Sequence, residues 1–291
     1  MARERRNARY LADAVFPPGL EVTSDLGAAV RAAQDVLVVV PSQGFRTVLE
    51  ALAPLGVKNL AWATKGFELD TGLLPYQVVA KVFGSGIPTA VLSGPTFARE
   101  VGAGLPSAMT IASRDDDYAQ RLAESISTDT FRAYMSSDVA GVEVGGATKN
   151  VYAIGAGITD GLGFGANTRI ALIARGLAEM TRLGLALGGK QETFMGLAGM
   201  GDLVLTCTDD QSRNRRFGLA LARGASAADA LRSIGQVVEG YNGARAVHRV
   251  ATRLGVAMPI VEQLHKVLHE GLNPRAAVAA LMRRPITPEL D

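Results

Sequence analysis

The sequence predicts an α/β protein: an incomplete doubly wound, Rossmann-like parallel sheet followed by an all-α C-terminal domain. Three observations predict it. Short apolar runs of β-branched character alternate with helical stretches in the first half. Each run ends on glycine, proline or small polar residues. Beyond residue 138 the runs give way to apolar residues recurring every three or four positions.

The elements follow in chain order. Residues 35–40 (DVLVVV) end at Pro41 and Ser42, 59–64 (NLAWAT) at Lys65 and Gly66, and 89–92 (TAVL) at Ser93, Gly94 and Pro95. Continuous apolar runs of this length suit strands covered on both faces. Residues 44–55 predict a helix between the first two. Residues 108–112 and 131–134 are candidates for later strands, and one more is expected near 21–24. In 168–187, Ile170, Ile173, Leu177, Met180, Leu183 and Leu187 share one helix face, and Gly188 and Gly189 stop that helix. Ile260, Val261, Leu264, Val267 and Leu268 form a second stripe. Asn273 and Pro274 read as the N-cap and first residue of the last helix. The domain boundary is expected near Ser137, separating 1–137 from 138–291.

Composition excludes several classes of function. The 291 residues carry 30 basic and 28 acidic side chains, a net charge of +2, so bulk charge offers nothing to nucleic acid. A small anion needs only a local basic cluster. No apolar run approaches the roughly 20 residues of a membrane helix. The Arg-rich residues 1–10 are not followed by the apolar core of a signal peptide. A single cysteine, Cys207, allows no intrachain disulfide and fits a reducing compartment, so a cytoplasmic protein is expected.

Candidate chemistry starts at the strand ends, because ligands of open α/β sheets sit beyond the carboxyl ends of the strands. Ser42, Lys65, Gly94 and Thr96 lie there. Glycine and serine also simply make turns. Lys65 is sharper: a lysine directly after a buried strand is placed to meet an anion, and the glycine after it lets a ligand approach the backbone. Residues 145–151 (GGATKNV) put small residues before Lys149 on a helix. Close packing there would draw Lys149 into an interdomain cleft, where desolvation lowers an ammonium pKa towards roughly 7–8, the range of a general base. A solvated surface lysine is the commoner fate. In 212–216, Arg213, Arg215 and Arg216 surround Asn214; guanidinium forks match phosphate oxygens, though a solvated helix start has the same composition. Asp202 is open to three roles: orienting a lysine, taking a substrate hydroxyl, or capping a helix. His265 and His269 share a helix face, with His248 elsewhere in the same region. No acidic or cysteine partner stands at ligand spacing, so no metal is expected. Cys207 reads as a packed core thiol.

Taken together, VVVPS (38–42), WATKGFE (62–68), LSGPTFAREV (92–101), GVEVGGATKNVYAIGAGITDGLGFGANTR (141–169), LIARGLAEMTRLG (172–184), FMGLAGMGDLVLTCTDDQSRNRRFG (194–218) and IGQVVEG (234–240) resemble the bacterial NAD(P)-dependent glycerol-3-phosphate dehydrogenase family over nearly the whole chain. The resemblance implies hydride transfer between C2 of sn-glycerol 3-phosphate and the nicotinamide of NAD or NADP. It implies a product, dihydroxyacetone phosphate, in one direction, and supply of glycerol 3-phosphate to phospholipid synthesis in the other. It makes 1–137 the dinucleotide-binding domain and 138–291 the helical substrate and catalytic domain. By resemblance Lys149 accepts the C2 hydroxyl proton, and Lys65 sits beside substrate and nicotinamide. Asp202 and Thr206 orient Lys149 and the substrate hydroxyls. Ser212, Arg213 and Asn214 take the substrate, Arg213 reaching the cofactor as well. Gly94, Thr96 and Ala98 line the site, with Ala98, Ser42, Val237 and Glu239 towards the cofactor. The partners implied are a small phosphorylated substrate and, in the usual oligomeric arrangement, a second copy of the chain, with neither nucleic acid nor membrane insertion. A hydroxyacid dehydrogenase of the same plan is disfavoured because Arg213, Asn214 and Arg215 together ask for a phosphate.

One departure from the family stands out. Its members open with a strand and a G-x-G-x-x-G turn, and this chain has none. The nearest run, 155–160 (GAGITD), has Asp160 at the third glycine and lies in a helical stretch. The expectation is therefore that a βαβ unit, on the order of 40–50 residues, is missing before Asn7. Residues 35–40 would then form an exposed apolar edge and NAD(P) binding would be impaired. Met1 would be an internal start of a longer working enzyme, or the chain a non-catalytic remnant that binds a phosphorylated ligand without turnover.

Overall fold

The computed structural model describes residues 1–286, 288 and 289. The chain opens with a small antiparallel hairpin, β1 (Arg6–Asn7) and β2 (Leu11–Val15). The strand expected at 21–24 does not form. There Thr23 Oγ1 accepts from the Asp25 amide at 3.0 Å, and Asp25 caps α1 (Leu26–Ala32) by accepting from the Ala28 amide at 2.8 Å. Side chains that hydrogen-bond the local backbone in this way compete with a ladder.

The main sheet has five strands in sequential order: β3 (Asp35–Val38), β4 (Asn59–Trp62), β5 (Thr89–Ser93), β6 (Ser107–Ser113) and β7 (Phe131–Ser136). β3, β4 and β5 are parallel, β6 runs antiparallel to β5, and β7 is parallel to β6. The sheet is thus mixed rather than wholly parallel. The cause lies between β5 and β6, where only the five-residue α4 (Ala98–Gly102) intervenes, and a direct return needs no crossover. α2 (Phe45–Leu52) and α3 (Pro75–Phe83) connect the first three strands, and α5 (Asp116–Ile126) connects the last two. One face buries Phe45, Leu49, Leu60, Trp62 and Val78; the other buries Leu92, Ile111, Tyr118 and Leu122. β3 is an edge strand with Leu37 and Val39 exposed.

The helices that follow are α6 (Val139–Gly161), α7 (Gly165–Ala186), α8 (Gln191–Phe194), α9 (Asp202–Thr208), α10 (Arg213–Ala222), α11 (Ala227–Ile234), α12 (Glu239–Leu254), α13 (Pro259–His269) and α14 (Pro274–Met282). α6 is the axis of this half. Every residue from Val139 to Thr159 is buried, as expected of a helix apolar on all sides. Its small residues bring neighbouring backbones close: a Cβ on Gly157 would lie 2.0 Å from the Arg215 carbonyl oxygen, and one on Gly218 of α10 would lie 2.1 Å from that of Ile154. The glycines of 155–160 therefore serve helix packing. The stripe on α7 is seen at Ile173, Met180 and Leu183, while Ile170 points to solvent. Asn273 caps α14, with Pro274 at its first position.

Candidate active site

Three elements converge where the carboxyl ends of β3, β4 and β5 meet the helical half. Lys65 follows β4, Lys149 sits midway along α6, and Asp202 opens α9. The Asp202 carboxylate accepts from both lysines, from Lys149 Nζ to Oδ1 at 2.5 Å and from Lys65 Nζ to Oδ2 at 2.6 Å. Lys65 also donates to the Gly94 carbonyl at 3.3 Å, and Lys149 to Thr206 Oγ1 at 3.1 Å. The Thr206 hydroxyl spends its own hydrogen on the Asp202 carbonyl at 2.5 Å, leaving a lone pair free for the ammonium.

The glycines before Lys149 let this cluster form. A Cβ on Gly145 would stand 2.4 Å from the Ala198 carbonyl oxygen, so α6 and the turn leading to α9 approach backbone to backbone. A Cβ on Gly146 would stand 3.3 Å from Lys65 Cγ, so the stem of Lys65 lies across α6. Lys149 is only 9% exposed. Burial pushes its pKa down to about 8, with the Lys65 charge acting in the same direction and the Asp202 carboxylate against it. For Asp202 burial acts upward, but the two ammonium groups outweigh it and hold the carboxyl below its ordinary value. Lys149 is thus a buried amine rather than a solvated one.

Of the remaining predicted residues, Gly94 and Thr96 adjoin the lysine cluster and the others make contacts of their own. Gly94 adopts φ of +154° where β5 turns towards α4, and a Cβ there would meet Met109 Cα at 2.9 Å. Thr96 donates to the same Gly94 carbonyl at 3.3 Å. Ser42, beyond β3, donates to Glu239 Oε2 at 2.9 Å and so bridges the two halves. Burial raises the Glu239 pKa against that hydrogen bond. Asn214 donates to Asn150 Oδ1 at 2.9 Å and accepts from the Gly240 amide at 2.8 Å. Ser212 is the N-cap of α10, accepting from the Arg215 amide at 3.2 Å. Arg213 is half-buried and donates to Gln236 Oε1 at 3.4 Å; burial lowers its pKa. Ala98 and Val237 are exposed, and no hydrogen bond joins them to the lysine cluster.

The arginine cluster divides. Arg215 does not share the anion site with Arg213: it is buried, pairs with Asp160, and donates to Asp210 Oδ1 at 2.9 Å. Two carboxylates satisfy its fork, so it secures α10 to the end of α6. Sequence reasoning placed Ser93 and Asn150 within candidate stretches without giving them a role, and it missed Glu143. Glu143 signalled itself as a lone charge in the apolar start of α6. The Ser93 hydroxyl is buried without a hydrogen-bond partner among the described residues. The histidines stack on one another, His248 on His265 with centroids 4.4 Å apart. Among the described residues no three His, Cys, Asp or Glu side chains gather as a metal site. Cys207 is a buried free thiol, pushed up to about 12 by burial. Among the described residues no helix is long and apolar enough to cross a membrane.

Ser42, Lys65, Arg213 and Glu239, with the unpartnered Ser93 hydroxyl beside Gly146, make a set of donors, acceptors and charge that fits a dinucleotide's amide, ribose and phosphate groups. The model of the NAD-dependent glycerol-3-phosphate dehydrogenase N-terminus matches residues 1–119, and that of the C-terminus matches residues 138–279. A glycerol-3-phosphate dehydrogenase [NAD(P)+] of Nitrosococcus oceani is 57% identical over 287 residues, 98% of this chain and 83% of that protein. The enzyme of the same description from Thioalkalivibrio sulfidiphilus is 56% identical over 291 residues, 99% of this chain and 87% of that one. A crystal structure of glycerol-3-phosphate dehydrogenase from Coxiella burnetii superposes with a TM-score of 0.94 at 46% identity, covering 98% of this chain and 87% of that chain. The expectation of a missing N-terminal unit is not borne out, since the N-terminal model already matches from residue 1. The impaired cofactor binding and the idle remnant inferred from that gap fall with it. Physically, absence of one glycine pattern says nothing of the strand-end groups of β3, β4 and β5, and these are assembled. Matched by both models and by relatives more than half identical across nearly its full span, the chain belongs to the NAD(P)-dependent glycerol-3-phosphate dehydrogenase family and is an oxidoreductase.

Proposed function

We infer that Lys149 is the proton acceptor for the C2 hydroxyl of sn-glycerol 3-phosphate and, in the opposite direction, the donor to the carbonyl of dihydroxyacetone phosphate. An alcohol proton must leave as the hydride departs, so a base is needed within hydrogen-bond reach. A lysine titrating near pH 8 presents both of its forms close to neutrality. Lys65 supplies positive charge to the developing alkoxide in a site poor in water. Asp202, with Thr206, fixes the Lys149 ammonium in place. Arg213, with Ser212 and Asn214, takes the phosphate, whose binding away from the reacting carbon positions that carbon. Gly94 and Thr96 line the substrate. Ser42, Ala98, Val237 and Glu239, with Lys65 and Arg213, would hold NAD or NADP, which when bound takes or supplies the hydride at its nicotinamide C4.

On this reading 1–137 is the dinucleotide-binding domain and 138–291 the substrate and catalytic domain. We also place the enzyme in the cytoplasm, acting as a homodimer. The observation that supports the assignment is one carboxylate, Asp202, clamping two ammonium groups from the two halves of the chain. The test is the initial rate of NADH and NADPH oxidation with dihydroxyacetone phosphate, for the wild type and Lys149→Met. The variant is expected to lose about 10²–10⁴-fold in kcat, the usual contribution of a positioned acid or base. Loss of less than about tenfold would remove Lys149 from this role.

A further inference from the structure

One buried carboxylate on the catalytic helix has no part in that chemistry. Glu143 is 4% exposed and is the one charged residue in the sequence from Val139 to Thr148. Its Oε1 accepts from Trp62 Nε1 at 2.8 Å and from the Tyr76 amide at 3.0 Å, and Oε2 lies 3.2 Å from the same amide. Trp62 is the last residue of β4, three positions before Lys65. Tyr76 is the second residue of α3, after Pro75, which has no N–H. From the helical half, Glu143 therefore satisfies a free amide at the start of α3 and grips the end of β4.

Glu143, Gly146 and Lys149 stand three residues apart, so they follow one row along α6. Each meets the segment that carries Lys65. Glu143 holds Trp62, Gly146 receives the Lys65 stem, and Lys149 shares Asp202 with the Lys65 ammonium. Other ties of this segment run within the sheet domain: the Ala63 amide donates to the Val38 carbonyl at 3.0 Å, and the Thr64 hydroxyl to the Val40 carbonyl at 2.7 Å. Among the described residues, the hydrogen bonds from 62–65 to the helical half are those of Trp62 to Glu143 and Lys65 to Asp202.

We propose that Glu143 is a positioning residue: by holding Trp62 and Tyr76 it registers the Lys65 loop against α6 and sets the spacing of the two ammonium groups on Asp202. The proposal rests on Lys149 as the proton acceptor. Loss of this grip frees Lys65 to swing away and lets water in. Both changes favour the Lys149 ammonium, because burial and the Lys65 charge hold its pKa down, while Asp202 remains its partner. Glu143 has its own titration to separate: burial pushes it up to about 8, against its two hydrogen bonds and the charge of Arg114.

The experiment is the pH profile of glycerol 3-phosphate oxidation by the full chain with saturating NAD. In the wild type kcat rises with pH as Lys149 becomes neutral. In Glu143→Leu that limb is expected to move up by about one unit, with kcat below its plateau by about 10- to 100-fold and KM changed by less than about threefold. Glu143→Gln keeps an oxygen that accepts from both donors and is expected to restore the wild-type limb and kcat. Trp62→Phe removes one donor and is expected to give a smaller shift the same way, and it carries the test should the leucine variant not fold. A merely structural role would lower the folded fraction without moving the limb. An unmoved limb in folded Glu143→Leu or Trp62→Phe, or a limb that disappears in Glu143→Gln, overturns the proposal. Lys149→Met separates this from failure of the underlying assignment: if that variant is inactive and the limb stays put, only the role of Glu143 is lost. If it remains active, both are lost.

Discussion

Replacing Asp202 with asparagine removes the one negative charge between two ammonium groups while keeping the side chain's shape. The wild-type trio carries a net +1 when both lysines are protonated. The neutral amide would leave +2 in a site where Lys149 is 9% exposed. At contacts of 2.5 and 2.6 Å, an effective dielectric of about 20 gives roughly 6.5 kcal/mol per carboxylate–ammonium pair. The amide dipole and entering water replace more than half of it, leaving about 2–3 kcal/mol. At 1.36 kcal/mol per unit that is about two units of pKa for Lys149. Its titration should therefore fall from about 8 to about 6. At pH 7 the lysine changes from about nine-tenths protonated to about one-tenth. Reduction of dihydroxyacetone phosphate, which needs the proton, should slow about tenfold at pH 7 through protonation alone. Initial rates of NADH oxidation from pH 5.5 to 9, with far-ultraviolet circular dichroism to check folding, read this directly. A folded Asp202→Asn whose Lys149-dependent limb stays at the wild-type pH, or moves higher, would show that the carboxylate does not sustain the ammonium.

With NADH saturating, so that any cofactor contact of Arg213 is satisfied, Arg213→Ala should lower kcat/KM for dihydroxyacetone phosphate by about 10- to 150-fold, the worth of a charged hydrogen bond of about 1.5–3 kcal/mol, and lower it far less for dihydroxyacetone; equal losses with both ketones would refute phosphate recognition. Glu179, 2% exposed on α7, accepts from the Ile260 amide at 2.7 Å and holds the start of α13. Burial raises its pKa to about 7, against those hydrogen bonds. A carboxyl raised on folding contributes stability that is full below its unfolded pKa and is lost as pH rises through the folded value, here between about 4.5 and 7. Glu179→Gln should remove most of that fall, about 3 kcal/mol, and an unchanged slope of thermal midpoint against pH over this window would count against it.

Much of this molecule was legible in its residues. Continuous apolar runs ending in glycine or serine revealed β4 and β5, because strands covered on both faces have no polar side to display; the same pattern revealed β3, although as an edge strand it leaves Leu37 exposed. Helical spacing revealed α7 and α13 for the converse reason. Lys65, Lys149 and Asp202 were recognisable as types: a lysine at a strand end, a lysine after small residues, an acid opening a helix. That they share one carboxylate was not, since Asp202 lies 137 residues from Lys65 and 53 from Lys149. Only tertiary packing decided which lysine loses its water, which of three neighbouring arginines is already paired, and that Glu143 ties α6 to β4 and α3. Local composition fixes what a segment buries along its own length. Charge state and partner choice depend on what is brought against it from elsewhere, and no spacing within a segment records that.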